Sequence, residues 1–373
     1  MSELKNKRRI CVVSYSNLYI LPYAKTYIQH ILDSGAECTL LYWDREETGG
    51  VKEKNSFPSC KHVVFQKYKP VGYGGRIYQL KTYFSAAKFF RKQLRKYHYD
   101  GLIFLQTHAA ISCFDILHKY YVGKYIVDIR DFTLENVCLF RKIEGRALKE
   151  AYKVVISSPA YQQFLPKAEY VVAHNFTEFI DEKVVSIKNK AGVQDKPLVI
   201  SFVGTVRFYE MDRKLLEMFG NDERYKVCYY GTGSDVLASY CKENGITNVD
   251  FSGSFTPDQT LDFYNKTSMI NNLYGNHNPY LDYALSNKIY HAVQLYKPIL
   301  VCPETYMEEI VRKYHLGFVV DLNNGNAPDI LWKENEKFDW KLFIDGCNDF
   351  IDVVKRDNTI YIELCKSFSS GNF

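Results

Sequence analysis

The chain has 373 residues, of which 46% are hydrophobic and 24% are charged, and this length is typical of two globular domains. Its 48 basic and 43 acidic residues leave a net charge of +5, an excess too small for a dedicated nucleic-acid-binding protein. Ten cysteines are scattered without C-x-x-C spacing, which predicts neither a zinc site nor a redox pair and fits a reducing cytoplasm. The charged segment 1–9 and the lack of a long apolar run predict no signal peptide and no transmembrane helix.

The first half of the chain alternates short β-branched runs with segments of helical length. Helices are predicted at 21–34, 77–97, 109–120 and 139–152. Strands are predicted at 9–16, 37–43, 62–68, 101–106, 124–131, 153–158 and 169–174. Apolar strands separated by helices are typical of a parallel sheet that is covered on both faces.

The polar, Lys-rich segment 181–197 interrupts this alternation and is predicted to be an interdomain linker. Strands then return at 198–203, 226–230, 248–251, 268–274 and 298–302, with helices at 286–296, 304–315 and 339–368. The sequence therefore predicts an α/β fold with two doubly wound, Rossmann-like domains at 1–185 and 197–373, of which the final helices could pack back on the first domain. Two such domains would face each other across a central cleft, where a ligand would bind.

The most informative segment is SNKIYHAVQLYKPIL at 286–300, where a predicted helix precedes a predicted strand. Ser286 is a plausible N-cap, which would direct backbone N–H groups and the positive end of the helix dipole into the cleft. A diphosphate binds well at such a helix end, and Lys288 adds positive charge. The alternative interpretation is an ordinary capped helix with a solvated lysine.

This segment resembles the P-x-K-[IL]-[FY]-E…G-[KR]-P-[VI]-[IL] signature in the donor domain of family 4 and related GT-B glycosyltransferases. Other landmarks of that domain occur in the same order, as SFVGTVRF at 201–208, YYGTGS at 229–234 and NVDFSG at 248–253. The resemblance covers most of the chain and is strongest at 198–322. It implies the GT-B architecture, in which two Rossmann-like domains face each other across the cleft.

The resemblance also implies which residues would hold a nucleotide-sugar donor. Arg207 and Lys288 would face the diphosphate, and Arg213 or Lys214 would supply a further positive charge. His291 stands where family members carry a ribose-binding glutamate. The remaining donor-binding residues implied in this way are Gly204, Thr205, Gly231, Gly233, Ser286 and Asn287. Cations that stabilise the departing diphosphate remove the need for a metal, and the sequence has no D-x-D motif, so we expect no metal and no cofactor.

Two residues of the first half are candidates for the reacting centre. The segments 126–131, 152–158 and 172–175 resemble the acceptor domain of the same family more loosely. His108 directly follows a predicted strand and Asp131 ends the next one, so both would lie at the cleft. Either could contact the reacting sugar or orient the acceptor hydroxyl, and histidine is suited to proton transfer near neutral pH. For His108 the alternative is a helix-start residue that bonds to the backbone.

The predicted helix at 77–98 is strongly basic and has no acidic residue. Its basic residues are Lys81, Lys88, Arg91, Lys92, Arg95 and Lys96. Apolar residues recur at helical spacing, so the helix could lie on an anionic membrane surface, where each basic residue adds about 1 kcal/mol. The alternative is a crossover helix that packs on the sheet and exposes a solvated basic face.

Together these features predict a glycosyltransferase that moves a hexose from a nucleotide-diphosphate-sugar to a glycan or lipid-linked acceptor without a metal. The resemblance implies retention of the anomeric configuration and a role in cell-surface polysaccharide or capsule biosynthesis, in the cytoplasm at the inner face of the membrane. A sugar-nucleotide epimerase of the same fold and a non-catalytic homologue are the alternatives. Turnover of a nucleotide-sugar without acceptor would favour the epimerase, and binding without turnover would favour the non-catalytic homologue.

Overall fold

The structure is a computed structural model, which describes residues 7–67, 75–176, 180 and 196–372. The chain divides into two compact units. The first comprises Met1–Thr177 together with Arg356–Phe373, and the second comprises Glu178–Lys355. The linker predicted at 181–197 lies outside the described residues except for its last two positions.

Within the described part of the chain, seven parallel strands form the sheet of the first unit. They are β1 (Arg9–Ser14), β2 (Glu37–Asp44), β3 (Lys61–Gln66), β4 (Gly101–Phe104), β5 (Tyr125–Ile129), β6 (Lys153–Ile156) and β7 (Tyr170–Val172). Their order across the sheet is β3-β2-β1-β4-β5-β6-β7, so the order reverses between β1 and β4. Strand β1 is buried on both faces, which explains why its sequence is a continuous apolar run and not an alternating pattern.

Helices connect these strands, as the alternation predicts. They are α1 (Ala24–Asp33), α2 (Val51–Ser56), α3 (Arg76–Lys96), α4 (Thr107–Ser112), α5 (Phe114–Tyr120) and α6 (Cys138–Glu150). The prediction of one helix at 109–120 is wrong, because the chain breaks at Cys113 into α4 and α5. Cys113 has φ −109° and ψ 11°, and its N–H bonds to the carbonyl of Ala110 at 3.0 Å, which ends α4 in a tighter turn.

The end of the chain packs in the core of the first unit. Tyr361 meets the ring of Tyr27 edge-on with the centroids 5.3 Å apart, and Phe368 is fully buried in the same cluster. His174, which follows β7, lies 3.1 Å from the carboxylate of Asp357. These contacts explain why the chain end belongs to the first unit although it follows the second in sequence.

The described residues of the second unit form a sheet of six parallel strands. They are β8 (Leu198–Val203), β9 (Tyr225–Tyr230), β10 (Val249–Ser252), β11 (Met269–Asn272), β12 (Ile299–Val301) and β13 (Gly317–Val319). The order across the sheet is β10-β9-β8-β11-β12-β13, so it reverses between β8 and β11. The carboxyl ends of the strands at such a reversal form a crevice.

The helices of the second half follow the strands in the same way. They are α7 (Tyr209–Phe219), α8 (Ser234–Glu243), α9 (Thr260–Asn265), α10 (Pro279–Asp282), α11 (Lys288–Leu295), α12 (Tyr306–Tyr314), α13 (Ala327–Glu336) and α14 (Trp340–Ser370). Both units are thus doubly wound α/β structures with parallel sheets, which confirms the predicted fold class. Across the described ranges, no helix has the length and apolar character required to cross a membrane.

Strand β11 is shorter than the predicted strand at 268–274, and its early end places the following loop at the site. It ends at Asn272, because the N–H of Leu273 turns back to the side-chain oxygen of Asn271 at 2.9 Å. The chain therefore leaves the sheet early, and Tyr274 belongs to the loop that follows the strand.

Candidate functional site

A cavity of about 460 Å³ lies at the carboxyl edge of the second sheet. The segments that follow β8, β11 and β12 border it together with the start of α11. Strands β8 and β11 flank the reversal of strand order, which is where doubly wound sheets bind their ligands. The lining residues on which the chemistry depends are Thr205, Arg207, Asn272, Tyr274, Lys288 and His291.

Lys288, the first residue of α11, presents a buried ammonium group to this cavity and is only 7% exposed. Its Nζ donates a hydrogen bond to the hydroxyl of Tyr274 at 2.7 Å and lies 4.0 Å from the centroid of the Phe202 ring. Among the ion pairs that the described residues form with one another, none includes Lys288. A buried cation that is held by rings and a hydroxyl, and not by a carboxylate, is suited to bind an anion.

The start of α11 differs from the prediction. Asn287 occupies the N-cap position with φ −58° and ψ −25°, which are helical values, and no side chain caps the helix. The prediction of Ser286 as the N-cap is therefore wrong, because the carbonyl of Ser286 already accepts the N–H of Ile289 at 3.1 Å in a tight turn. The Ser286 hydroxyl accepts only a long bond of 3.4 Å from the N–H of Lys288. Both Ser286 and Asn287 nevertheless line the cavity.

Glycines allow the ends of β8 and β9 to approach each other beside the cavity. Gly204 has φ 134° and Gly231 has φ 141°, which are conformations that other residues rarely adopt. A Cβ at Gly231 would collide with the carbonyl oxygen of Gly204, and a Cβ at Gly204 would lie 3.8 Å from Lys288 Nζ. Gly233 stands at the N-cap position of α8 with φ 87°. Gly204 is thus the glycine next to the ammonium group, whereas Gly231 permits the close approach of the two strand ends.

Aromatic rings form another part of the cavity lining. His291 stacks on Tyr264 with the ring centroids 5.0 Å apart and an interplanar angle of 29°. Burial, followed by the charge of Lys288, lowers the pKa of His291, so the imidazole is neutral at neutral pH. His291 Nδ1 and Asn272 Oδ1 are buried atoms that have no hydrogen-bond partner within the described ranges. Such rings and polar atoms are suited to a planar base or to sugar hydroxyls.

The four basic residues that the family resemblance implies for the donor site do not all lie at the cavity. Arg207 is exposed and lines the cavity together with Lys288. Arg213 lies over a tyrosine ring of α8, 5.1 Å from its centroid. Lys214 donates a hydrogen bond to the side chain of Asn323 at 3.1 Å. Arg213 and Lys214 stand outside the lining, so Arg207 is the cation that accompanies Lys288 there.

Several residues in the cavity lining or behind it carry little sequence signal. Asp212 on α7 is 4% exposed and accepts a hydrogen bond from the hydroxyl of Tyr229 at 3.0 Å, and burial raises the pKa of Asp212 to about 6. Tyr264 and Tyr274 belong to a chain with 31 tyrosines, so nothing distinguishes them in the sequence. Asn272 carries a usable signal, since a polar residue ends an apolar strand at the edge where ligands bind.

The two candidates of the first unit lie at the carboxyl ends of β4 and β5, which are adjacent strands. His108 is in the first turn of α4, and its ring meets the rings of Tyr15 and Tyr83 edge-on at 5.4 and 6.0 Å. Asp131 is exposed directly after β5. Their roles in catalysis stay predictions.

The cavity presents cationic groups that suit an anion. No cluster of three or more His, Cys, Asp or Glu side chains in the described part of the chain could hold a metal ion. The expectation of a metal-independent reaction stays a prediction. The groups that could hold a ligand are the ammonium of Lys288, the guanidinium of Arg207 and the rings of Tyr264 and His291.

No protein-family model matches the chain, and no curated protein matches its sequence. Its structure is similar to sucrose-phosphate synthase from Thermosynechococcus elongatus, with 12% identity, coverage of 96% of this chain and 97% of that chain, and a TM-score of 0.65. It is also similar to HepE from Anabaena in complex with UDP and glucose, with 13% identity, coverage of 96% and 100%, and a TM-score of 0.63. The lipopolysaccharide outer core galactosyltransferase WaaB gives 14% identity, coverage of 96% and 99%, and a TM-score of 0.64.

These similarities extend over nearly the whole chain, and they confirm the GT-B fold that the sequence predicts. WaaB is a galactosyltransferase, and HepE is in complex with UDP and glucose. At this level of identity the likeness concerns the fold, and it does not single out family 4 within the GT-B class.

Proposed function

We propose that this protein is a glycosyltransferase whose nucleotide-diphosphate-sugar donor binds in the cavity of the second unit. The observation that carries the proposal is the buried ammonium of Lys288, which lies beside a glycine at a strand end and is held by rings. An anionic diphosphate would supply the counter-charge through charge-assisted hydrogen bonds. The stacked rings and unpaired polar atoms of the same cavity suit a nucleoside or a sugar. The likeness to a structure with UDP and glucose supports the same assignment.

The proposed reaction exchanges the bond between sugar and diphosphate for a bond between sugar and acceptor oxygen. The nucleoside diphosphate leaves with the electron pair of the broken bond, and the acceptor hydroxyl gives up its proton. Negative charge grows on the diphosphate in the transition state, where Lys288 and Arg207 would stabilise it without a metal ion. His108 and Asp131 are the proposed groups for orienting the acceptor or receiving its proton. Retention of the anomeric configuration of a transferred hexose is part of the proposal, and it rests on the family resemblance.

The proposed acceptor is a glycan or lipid-linked intermediate of a cell-surface polysaccharide such as a capsule, used at the cytoplasmic face of the membrane. Helix α3 supports this choice, because Ile77, Leu80 and Phe84 expose 71%, 59% and 72% of their surfaces. Lys81 and Lys88 are exposed at helical spacing on the same side of α3. An exposed apolar stripe flanked by lysines is suited to an anionic membrane surface.

The basic residues of α3 are not equivalent. Arg91 and Arg95 approach the same carboxylate oxygen of Asp115, at 2.7 and 2.9 Å, so their charges are partly compensated. Vesicles with anionic phospholipid should therefore sediment the wild-type protein, but should sediment Phe84→Ser and Lys88→Gln variants much less. Equal sedimentation of the wild type and the Phe84→Ser variant would contradict the membrane proposal.

A thermal-shift screen tests the donor assignment. The ligands are UDP, GDP, dTDP and CMP with their common sugar conjugates, and a ligand at about a hundred times its dissociation constant stabilises by about 2.7 kcal/mol. We expect a shift with one nucleotide class and its loss in the Lys288→Ala variant. No shift of the folded wild type with any of these ligands would contradict the proposal.

Turnover assays then separate the transferase from its alternatives. We expect the selected nucleotide-sugar to be consumed when glycan or lipid acceptors are present and to persist without them. Inversion of a sugar centre without acceptor would instead identify an epimerase. Binding without turnover under any acceptor would identify a non-catalytic homologue, an outcome compatible with His291 at the position where the resembling family carries a glutamate.

A further inference from the structure

The carboxyl group of Asp212 is connected to Lys288 by packed rings behind the donor cavity. The hydroxyl of Tyr229 donates a hydrogen bond to Asp212 Oδ1 at 3.0 Å. The ring of Tyr229 stacks on the ring of Phe202 with the centroids 5.7 Å apart, and Phe202 in turn lies under Lys288 Nζ at 4.0 Å. Asp212 Oδ2 is buried and has no hydrogen-bond partner among the described residues. One oxygen of this carboxyl group is therefore held, and the other can accept a proton.

The charge state of Asp212 depends on the charge at Lys288. Burial raises the pKa of Asp212 to about 6, and the hydrogen bond from Tyr229 and the positive charge of Lys288 oppose this rise. A carboxyl group with such a pKa changes its protonation when a nearby charge changes. A diphosphate bound at Lys288 would bring negative charge to the ammonium that favours ionised Asp212. Donor binding would thus raise the pKa of Asp212 further.

We propose that Asp212 is a positioning residue that takes up a proton from solvent when the nucleotide-diphosphate-sugar binds, which couples donor affinity to pH. This inference rests on the proposed function of the cavity. Ionised Asp212 attracts Lys288 and competes with the diphosphate, whereas neutral Asp212 leaves the full charge of the ammonium for the ligand. The bound state therefore holds more protons than the free state, and donor affinity increases as pH falls through the window between the two pKa values of Asp212.

Other titratable groups around α7 do not carry this coupling or can be distinguished from Asp212. Burial holds the pKa of Tyr229 well above its usual value, so this hydroxyl stays protonated. His291 is another titratable group whose pKa Lys288 influences, and it must be distinguished from Asp212 by experiment. Three charged or polar groups near α7 have partners of their own. Tyr240 bonds to Glu217, Arg224 pairs with Asp329, and Arg213 lies over the Tyr240 ring.

Titration calorimetry of the full chain tests the proposal. The probe is UDP-glucose, or the nucleotide-sugar selected by the thermal screen, because its diphosphate does not titrate near neutral pH. Two buffers with different ionisation enthalpies give the number of protons taken up. For the wild type we expect proton uptake and a dissociation constant that falls by up to about tenfold between about pH 7.5 and about pH 6.5. The Glu210→Gln variant, which changes an exposed carboxylate on the same helix, should keep this profile.

Variants identify the group that takes up the proton. Asp212→Asn should bind as tightly as the wild type does at low pH, without proton uptake and without the pH dependence. Tyr229→Phe removes a hydrogen bond that favours ionised Asp212, so it should shift the pH profile upward, which a merely structural role would not do. His291→Gln should keep a pH dependence of donor affinity.

Three outcomes overturn the inference. Loss of the pH dependence in His291→Gln together with its persistence in Asp212→Asn would assign the proton to His291. Tight donor binding without proton uptake by the wild type would overturn this inference alone and leave the proposed function intact. Absence of binding by every nucleotide-sugar at every pH would overturn the proposed function and this inference with it.

Discussion

The carboxyl edges of the two sheets use their polar groups in opposite ways. In the first unit, the amide of Asn17 after β1 donates to the carboxylates of Asp44 and Glu53 at 3.1 and 3.2 Å. In the second unit, the corresponding turn after β8 begins with Gly204, and Lys288 presents its ammonium to a cavity of about 460 Å³. The first edge pairs acidic and amide groups with each other, whereas the second edge presents a cation to a cavity.

The difference originates in the residues that follow the first strand of each unit. Tyr15 after β1 is buried and packs edge-on against Phe90 with the centroids 4.7 Å apart, so a ring occupies the space at that edge. Gly204 after β8 has no side chain, and its backbone leaves room beside Lys288. Two sheets with the same topology thus differ in chemistry because of a few local residues, which agrees with the general separation of fold from function.

Loss of a buried charge at the carboxyl edge of the first sheet should lower the stability of the protein. The guanidinium of Arg130 binds the carboxylate of Asp128 at 2.5 and 2.8 Å, and both side chains are buried. Asp128→Ala should lower the free energy of unfolding by about 3–5 kcal/mol, because it leaves an uncompensated buried cation. The exposed Asp115 provides the control, since Asp115→Ala should cost no more than about 1 kcal/mol. Equal losses in urea-induced unfolding would contradict a structural role for the Asp128–Arg130 pair.

Substitutions at the carboxyl edge of the second sheet should weaken donor binding. Lys288→Ala should weaken donor binding by about 2–5 kcal/mol, which is roughly thirtyfold or more in the dissociation constant. Its effect on folding should be small, because the buried ammonium that it removes forms no ion pair within the described part of the chain. Lys226→Ala is the matched control. Lys226 pairs with Asp250 at a distance of 2.5 Å, and neither residue lines the cavity. Calorimetric titration of the donor measures both dissociation constants. Equal values for the two variants would contradict the assignment of Lys288.

The close approach of β8 and β9 predicts a backbone effect. Gly231→Ala should lower the free energy of unfolding by about 2–3 kcal/mol, because a Cβ there meets the Gly204 carbonyl and the φ of 141° is strained. A Cβ at Gly253 would meet nothing within 4 Å, so Gly253→Ala should leave stability nearly unchanged. Denaturant midpoints that are equal for the two variants would show that the turn relaxes without loss.

Each unit also buries carboxyl groups with raised pKa values, and Glu144 in the first unit predicts a pH dependence of stability. Burial, reinforced by Glu135, raises the pKa of Glu144 to about 8. The folded state then holds a proton that the unfolded state has lost, so stability decreases as pH rises from the unfolded pKa to about 8, by at most about 1.4 kcal/mol per pH unit. Glu144→Gln should flatten the curve of unfolding free energy between about pH 6.5 and about pH 8. A wild-type slope that persists in the variant would assign the titration to another group.

The fold was predictable because buried strands are continuous apolar runs, of which β1 and β8 are examples. The order of four landmarks placed Lys288 and His291 in one region of the second unit, and the structure brings both to one cavity. The start of α11 at Asn287 and not at Ser286 was not predictable, because it depends on the backbone angles of Asn287, which are helical.

Helix phase and distant packing limited the prediction of the remaining site residues. Arg213 and Lys214 are neighbours on α7, and only the rotation of the helix decides that they meet Tyr240 and Asn323 outside the cavity lining. Asp212, one residue earlier, points inward and accepts a hydrogen bond from Tyr229. No local sequence pattern predicts this contact between distant segments.

A crystal structure of the protein with the nucleotide-sugar selected by the thermal screen tests the central claim most directly. The account predicts the diphosphate within hydrogen-bond distance of Lys288 Nζ, beside Gly204, with the nucleoside or sugar against the rings of His291 and Tyr264. A donor bound with its diphosphate away from Lys288, or bound at a place other than this cavity, would contradict the account.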